Sequence, residues 1–356
     1  MIISRTPFRV SFLGGGTDYP GWYRKHGGAV LASTINKYCW ISVRYLPPFF
    51  EHRYRIVWSQ IEDCLTVDDI KHPAAREAIK YLGISKGVEV HHDGDLPARA
   101  GIASSSAFTV GMLNALHALR GDSPDQKQIY SESIDLEQNI LNETIGCQDQ
   151  VLCTVGGLNM VVFNRDDTIE IVPVNCSPDR IREFESHLML FFTGVVRTAS
   201  TIAETYVPEI DTRESQLMAL SGLVYEGIEI LESNGPLDRF GELLHDGWQR
   251  KRALSGQVST PYIDEIYAAA MDAGAIGGKL LGAGGGGFIL VFAHPEKQAV
   301  IRERLGTLLR VPFTLESEGA KIIHNNPDED MEEASLDREQ RKLVSFHDFD
   351  LEPDVV

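Results

Sequence analysis

The seventeen residues from Ser104 to Arg120, SSSAFTVGMLNALHALR, read as a helix that is apolar on nearly every side. A helix of that kind cannot rest on a surface and has to be covered on most of its faces. The preceding third of the chain can supply the cover. FRVSFL alternates, AVLASTI and YCWISVRYL are rich in β-formers, and YRIVW and GVEVHHD follow between turn-like breaks. Asp18-Tyr19-Pro20-Gly21 reads as a turn after the first strand.

Beyond the apolar helix, SPDQKQIYSESIDLEQNILNE is a second helix, with Ser123 as N-cap and Pro124 in the first turn. GCQDQVLCTVGG ends at a double glycine before the strand LNMVVF, and TIEIVPV and LMLFFTG are further strands. Amphipathic helices are expected across residues 212–233, 236–254 and 260–273. GGKLLGAGGGG then feeds the strand FILVFA, followed by a helix from Pro295 and the strands PFTLE and AKIIH. Strands and helices in two groups make an α+β protein. The chain's 356 residues exceed one ordinary core, so two domains are expected, 1–185 and 186–325.

Residues 326–356 stand apart as a tail, with eleven Asp/Glu against three Lys/Arg, or −8 of the total charge of −18. Such a segment is solvated and is not where catalysis is sought. A chain this acidic is a poor partner for nucleic acid or an anionic membrane. Five scattered cysteines without metal-ligand spacing read as reduced thiols, and no signal peptide or long apolar run is present, so a cytoplasmic location is expected.

Four features can carry chemistry. LPARAGIASSSAF puts Ser104, Ser105 and Ser106 at the start of the apolar helix, where unpartnered backbone N–H groups can hold a phosphate. A serine hydroxyl there can also ligate Mg²⁺. Taken alone, the stretch reads first as an ordinary helix cap. Gly14, Gly15 and Gly16 after the first strand would be costly in a plain hairpin, so something must need the space; Thr17 and Asp18 offer groups that bond sugar hydroxyls. GAGGGG, residues 282–287, lets backbone approach a neighbour or ligand closely. Last, Asp149 precedes a helix, with Glu137 twelve positions earlier.

In this order the features resemble the superfamily of galactokinase, homoserine kinase, mevalonate kinase and phosphomevalonate kinase, the GHMP kinases. The matching motifs are TPFRVSFLGGGTD, PARAGIASSSA and GGKLLGAGGGGF, and the resemblance covers residues 1–325. GGGTD, FTGVVRTAS and the block from Gly247 to Phe288 look most like the D-glycero-D-manno-heptose 7-phosphate kinases. The resemblance implies a two-domain fold, a mixed-sheet N-terminal domain with helices and a ferredoxin-like C-terminal sandwich. It also implies an ATP-dependent kinase acting on the anomeric hydroxyl of a sugar or sugar phosphate. A kinase for fucose or galactose, and a sugar sensor without turnover, stay open as alternatives, as does association into a homo-oligomer.

Residue by residue, the resemblance places Pro97, Gly101, Ile102, Ala103 and Ser104 to Ser106 around the nucleotide phosphates. Ser105 and Glu137 fall where Mg²⁺ is held, Asp149 where the catalytic aspartate stands, and Arg9 beside the reacting hydroxyl. Gly15, Gly16, Thr17, Asp18, Arg197, Lys251, Gly284 and Gly285 are the substrate candidates, with Arg197 and Lys251 proposed for a distal phosphate. Relatives carry glycine where this chain has Ala103, which is harmless if its φ is negative. His91 and His92 face opposite sides of a strand and receive no role.

Overall fold

The protein is described from a computed structural model, over residues 1–196, 202–205 and 207–326. Residues beyond 326, which include nearly all of the acidic tail, and Arg197 lie outside the described residues.

Strands β1 (Ile2–Leu13), β2 (Gly28–Tyr45), β3 (Tyr54–Val57), β4 (Ile61–Cys64), β5 (Val88–Gly94), β6 (Leu158–Phe163) and β7 (Ile169–Pro173) form most of a nine-stranded mixed sheet. Its spine is β2, whose 18 residues pair with β1 along nearly their whole length, with β6 at one end and with β5 at the other. The remaining two strands come from the far end of the chain. β12 (Leu315–Glu316) pairs with β2, and β13 (Lys321–Asn325) pairs antiparallel with β1. The single domain expected over 186–325 is therefore corrected: its last strands belong to the first sheet, and the N-terminal domain is discontinuous in sequence.

The second sheet has the order β11 (Leu309–Val311), β8 (Leu188–Phe192), β10 (Phe288–Phe292), β9 (Gly277–Leu280), all antiparallel. Ten helices accompany the two sheets among the described residues: α1 (Pro20–His26), α2 (Pro73–Tyr81), α3 (Ser104–Arg120), α4 (Gln126–Asp135), α5 (Gln148–Val155), α6 (Pro178–Ser186), α7 (Glu214–Glu232), α8 (Asp238–Arg252), α9 (Pro261–Asp272) and α10 (Gln298–Arg304). The result is the α+β architecture expected.

The apolar helix α3 runs over the expected residues and buries twelve of its seventeen residues, packed on β1 and β2 and flanked by α2, α4 and α5. Several local expectations are corrected. The second helix is capped by Asp125, whose side chain accepts from the Gln128 N–H at 2.7 Å, and not by Ser123. After Asp135 that helix widens into a π turn over Leu136–Ile140, which carries Glu137. Pro20, read as part of a turn, opens the short helix α1.

An aromatic cluster joins the two sheets. Phe12 at the end of β1 meets Phe184 of α6 edge-on at 5.3 Å, Phe184 meets Phe240 of α8 at 4.9 Å, and Phe240 meets Phe292 of β10 at 5.9 Å. The first two pairs are edge-to-face, an arrangement that adds to the burial they bring. They also fix α8 against the end of β1, which is where the candidate site begins. None of the described helices is long and apolar enough to cross a membrane.

Candidate active site

A cavity of about 720 Å³ opens where the first sheet, the start of α3 and the glycine-rich turn before β10 meet. Its wall contains Arg9, Asp18, Ser104 to Ser106, Glu137, Asp149 and Gly284, which come from five separate stretches of sequence.

Across it Arg9 of β1 pairs with Asp149 of α5. Arg9 Nε donates to one carboxylate oxygen and Nη2 to the other, each at 2.7 Å, while Nη1 donates to the Gly101 carbonyl at 2.9 Å. A paired fork of this kind fixes direction as well as charge. The arginine side chain is 4% exposed and the aspartate 25%, so the carboxylate is the half of the pair that faces the cavity.

Asp18 lies close by, buried, accepting from the backbone N–H groups of Gly16 at 3.0 Å and Gln148 at 3.3 Å. Burial, and then the charge of Asp149, push its carboxyl above the usual range. Gly15 and Gly16 line the cavity beside it. Gly14 answers the question raised by the triple glycine: its φ is +80°, and a Cβ there would stand 2.0 Å from the Ala29 carbonyl of β2. Thr17 does not reach the cavity. Its hydroxyl is spent on the Gly14 and Ala29 carbonyls, both at 2.9 Å, so it holds the turn.

The serine segment approaches the cavity through an unusual backbone. Arg99, Gly101 and Ala103 all have positive φ, +58°, +79° and +64°. The Arg99 N–H donates to Ser104 Oγ at 3.0 Å and closes the loop. Ala103, at ψ 34°, is therefore in the left-handed region, so the condition under which an alanine would be harmless there is not met. An alanine there costs on the order of 1 kcal/mol that glycine avoids. Ala103→Gly is expected to stabilise the protein by up to about 1 kcal/mol, the gain reduced by the greater freedom of glycine in the unfolded chain. Thermal unfolding reads this directly, and a lowered midpoint would count against it. Ala103 and Ser104 to Ser106 line the cavity, whereas Pro97 and the buried Ile102 do not.

Glu137 is 1% exposed and accepts from Ser106 Oγ at 2.9 Å, Thr109 Oγ1 at 2.7 Å and the Gln150 amide. Burial pushes its carboxyl up to about 7 in spite of these donors. Among the described residues no cation pairs with it and no cluster of three or more His, Cys, Asp or Glu is suited to a metal. The groups brought together there, the Glu137 carboxylate and the Ser106 hydroxyl, are oxygen donors, and Ser105 lines the same cavity. That set fits Mg²⁺, which takes few protein groups and leaves room for phosphate oxygens and water.

GAGGGG packs on the serine loop. A Cβ on Gly282 would lie 2.4 Å from the Gly101 Cα, and one on Gly101 would lie 2.4 Å from the Leu281 carbonyl. Gly284 lines the cavity, but Gly285 is turned to the Val258 carbonyl, 3.0 Å from its N–H. Lys251, expected at a distal phosphate, is instead buried in the wall near Arg9, Asp18 and Asp149. Its neighbour Arg252 is turned away, paired with Asp264 at 2.9 Å, and Trp248 is core.

The far end of the cavity was not foreseen. His72 stacks on Phe108 at 4.4 Å, His92 meets Phe108 edge-on at 5.0 Å, and Trp58 meets His72 edge-on at 5.0 Å. Burial, and then His92, hold the His72 imidazole down at about 4, so it is a neutral ring near neutral pH. His92, left without a role in the sequence, faces this cavity, while His91 points away to Glu89 at 3.0 Å. No spacing in the chain links Trp58, His72 and His92; the parallel pairing of β3 with β5 and the start of α2 bring them together.

The arrangement thus offers a helix N-terminus for an anion, an oxygen donor set for a hard cation, an aromatic end and an oriented carboxylate. Known proteins resemble the chain in sequence and in fold. Residues 70–157 match the GHMP kinases N-terminal domain and residues 228–310 the GHMP kinases C-terminal domain. A D-glycero-alpha-D-manno-heptose 7-phosphate kinase of Campylobacter jejuni is 26% identical, covering 88% of this chain and 97% of that protein. A galactokinase of Pyrococcus furiosus is 24% identical over 85% of this chain and 94% of its own. In fold, the chain superposes with a TM-score of 0.75 on a D-glycero-D-manno-heptose 1-phosphate kinase of Bacteroides thetaiotaomicron, 21% identical, over 91% of this chain and 99% of that one. With its three motifs converging on one cavity and both family domains matched in order, the chain belongs to the GHMP kinases.

Proposed function

We propose that the protein is an ATP-dependent sugar kinase that phosphorylates an anomeric hydroxyl, with D-glycero-D-manno-heptose 7-phosphate as the acceptor. The observation that carries this reading is the fork between Arg9 and Asp149, held in the same cavity as the N-terminus of α3. One places a proton acceptor; the other receives phosphates.

In this reading the ATP phosphates lie along Ser104 to Ser106, and the base sits at the aromatic end between Trp58, His72 and Phe108. Neutral His72 suits a stacking surface. Ser105 and Glu137 hold Mg²⁺, which when bound neutralises phosphate charge. Asp18 and the backbone at Gly15 and Gly16 grip the sugar hydroxyls and aim the anomeric one at Asp149. Asp149 takes that proton as the oxygen attacks phosphorus, and Arg9 keeps the carboxylate in line. Transfer of this kind needs alignment and positive charge more than covalent help from the protein. An anomeric hydroxyl is more acidic than an ordinary alcohol, so a carboxylate suffices as the base.

The heptose phosphate is favoured by the overlap with the Campylobacter relative along nearly all of its length, and by GGGTD. The test is ATP consumption with heptose 7-phosphate, unphosphorylated heptose, fucose and galactose, with the phosphorylated carbon located by NMR. Fastest turnover of heptose 7-phosphate, giving the 1,7-bisphosphate, is expected. Activity on none of the four would remove the reading, and a product at another hydroxyl would remove its mechanism.

A further inference from the structure

The positive charge of Arg9 is already committed: its nitrogens are engaged by Asp149 and by the Gly101 carbonyl. Phosphoryl transfer is favoured by a cation with donors to spare. Lys279 of β9 lines the cavity too, 5% exposed, but it donates to the Phe12 carbonyl at 2.8 Å, and burial, then Lys251, hold its proton affinity well below the usual lysine range. Lys251 is differently placed. It lies in the last turn of α8, where the helix dipole favours a cation, and lines the cavity although only 7% exposed.

The ammonium of Lys251 has one described hydrogen bond, to the Gly282 carbonyl. A lysine has three donors, so the remainder of its capacity is turned to whatever enters. Its anchor decides where that is. Gly282 is packed on Gly101, and Gly101 in turn takes Arg9 Nη1. Lys251 is thus tethered at the junction between the serine loop and the acid–base pair.

We propose that Lys251 is a catalytic residue, its ammonium donating to the oxygens of the phosphoryl group as that group passes from ATP to the acceptor. The proposal rests on the site being one of phosphoryl transfer. The acceptor oxygen bonds to the γ-phosphorus while the bond to the bridging oxygen breaks, and that oxygen leaves with the electron pair on ADP. The acceptor's proton goes to Asp149; Lys251 keeps its own throughout. A lysine gripping the acceptor's distal phosphate would instead stand away from the Arg9 and Asp149 pair.

The groups facing Lys251 are Arg9 from β1, Asp18 from the turn after it, Asp149 from α5 and Lys279 from β9. Burial, and then Arg9, lower its proton affinity to about 8, opposed by the two aspartates. The charged form is present below that pH and lost above it, so turnover is expected to fall as pH rises through about 8. A buried cation with few partners also costs stability, so an apolar replacement is expected to raise the melting temperature while harming the reaction.

The experiment compares the full chain with Lys251→Met and Lys251→Arg. It reads kcat and KM across pH, melting temperature, and binding of ADP with magnesium and aluminium fluoride against binding of a non-hydrolysable ATP analogue. Lys251→Met is expected to lower kcat roughly 10²- to 10³-fold with KM nearly unchanged, to lose the alkaline limb, and to weaken the aluminium fluoride complex selectively. Lys251→Arg is expected to recover part of the rate and move the limb to higher pH. Unchanged kcat, a loss confined to the acceptor's KM, or equal weakening of both nucleotide complexes would overturn the proposal. So would a Lys251→Met protein that melts lower and binds no nucleotide, because the lysine would then be structural. If the wild type phosphorylates no sugar, the acceptor assignment fails, and the aluminium fluoride comparison still decides the role of Lys251.

Discussion

Asp149→Asn is expected to lower kcat by about 10³-fold, within the usual range for losing a positioned acid or base, and to leave ATP affinity within about threefold. The loss corresponds to about 4 kcal/mol of transition-state stabilisation. Asparagine fills the same volume but offers one acceptor oxygen where the carboxylate offers two. One of the two 2.7 Å bonds from Arg9 would then meet an N–H group, and the proton acceptor is gone. ATP is held elsewhere, at the start of α3, and no described hydrogen bond ties that segment to Asp149. Steady-state kinetics with calorimetry of an ATP analogue separates the two effects. A variant that turns over within twofold of the wild type would sink the role given to Asp149. A variant that loses nucleotide binding together with rate would show that the fork holds the loop through Gly101.

Gly282→Ala is expected to force apart two of the motifs that meet at the cavity. The new Cβ would lie 2.4 Å from the Gly101 Cα and 3.1 Å from its carbonyl oxygen, and both are backbone atoms. Nothing as compliant as a side-chain tip is available to give way, so the serine loop and the glycine-rich turn must part. A cost of roughly 3 kcal/mol or more, with at least tenfold weaker nucleotide binding, follows from the overlap. The φ of +70° adds strain of its own, and a control isolates it. Gly121 has a φ of +83° with nothing within 4 Å, so Gly121→Ala carries the conformational strain without the collision. Equal effects of the two substitutions would mean that the contact between the motifs is unimportant.

The comparison of these two glycines shows what the sequence could and could not disclose. The family, the α+β class and the three motifs were legible because each motif is a contiguous string whose residue types are tied to its role. The fork was not legible as a contact, since 140 positions separate Arg9 from Asp149 and only the packing of α5 on β1 brings them together. Thr17 matched a substrate-gripping motif yet spends its hydroxyl on backbone. The left-handed Ala103 was hidden for a different reason: alanine ordinarily avoids positive φ, so its identity argued for the wrong conformation. The aromatic end left no trace because Trp58, His72 and His92 stand on three elements whose adjacency depends on tertiary pairing.

The return of the chain to its first sheet bears on how the protein is made. β13 pairs with β1 in a register that sets Ile2 opposite Asn325, so one neighbour of the first strand is synthesised more than three hundred residues after it. Until then one flank of β1 has no partner, and the backbone groups on that edge are open to pairing with another chain. The ordinary vectorial sequence, in which an N-terminal domain completes itself while the ribosome is still at work, is denied to this one. Pairing strands so far apart in sequence slows folding and lengthens exposure of the unfinished sheet. The second domain, whose strands lie between residues 188 and 311, can assemble first and present the end of the chain to a sheet that has been waiting for it.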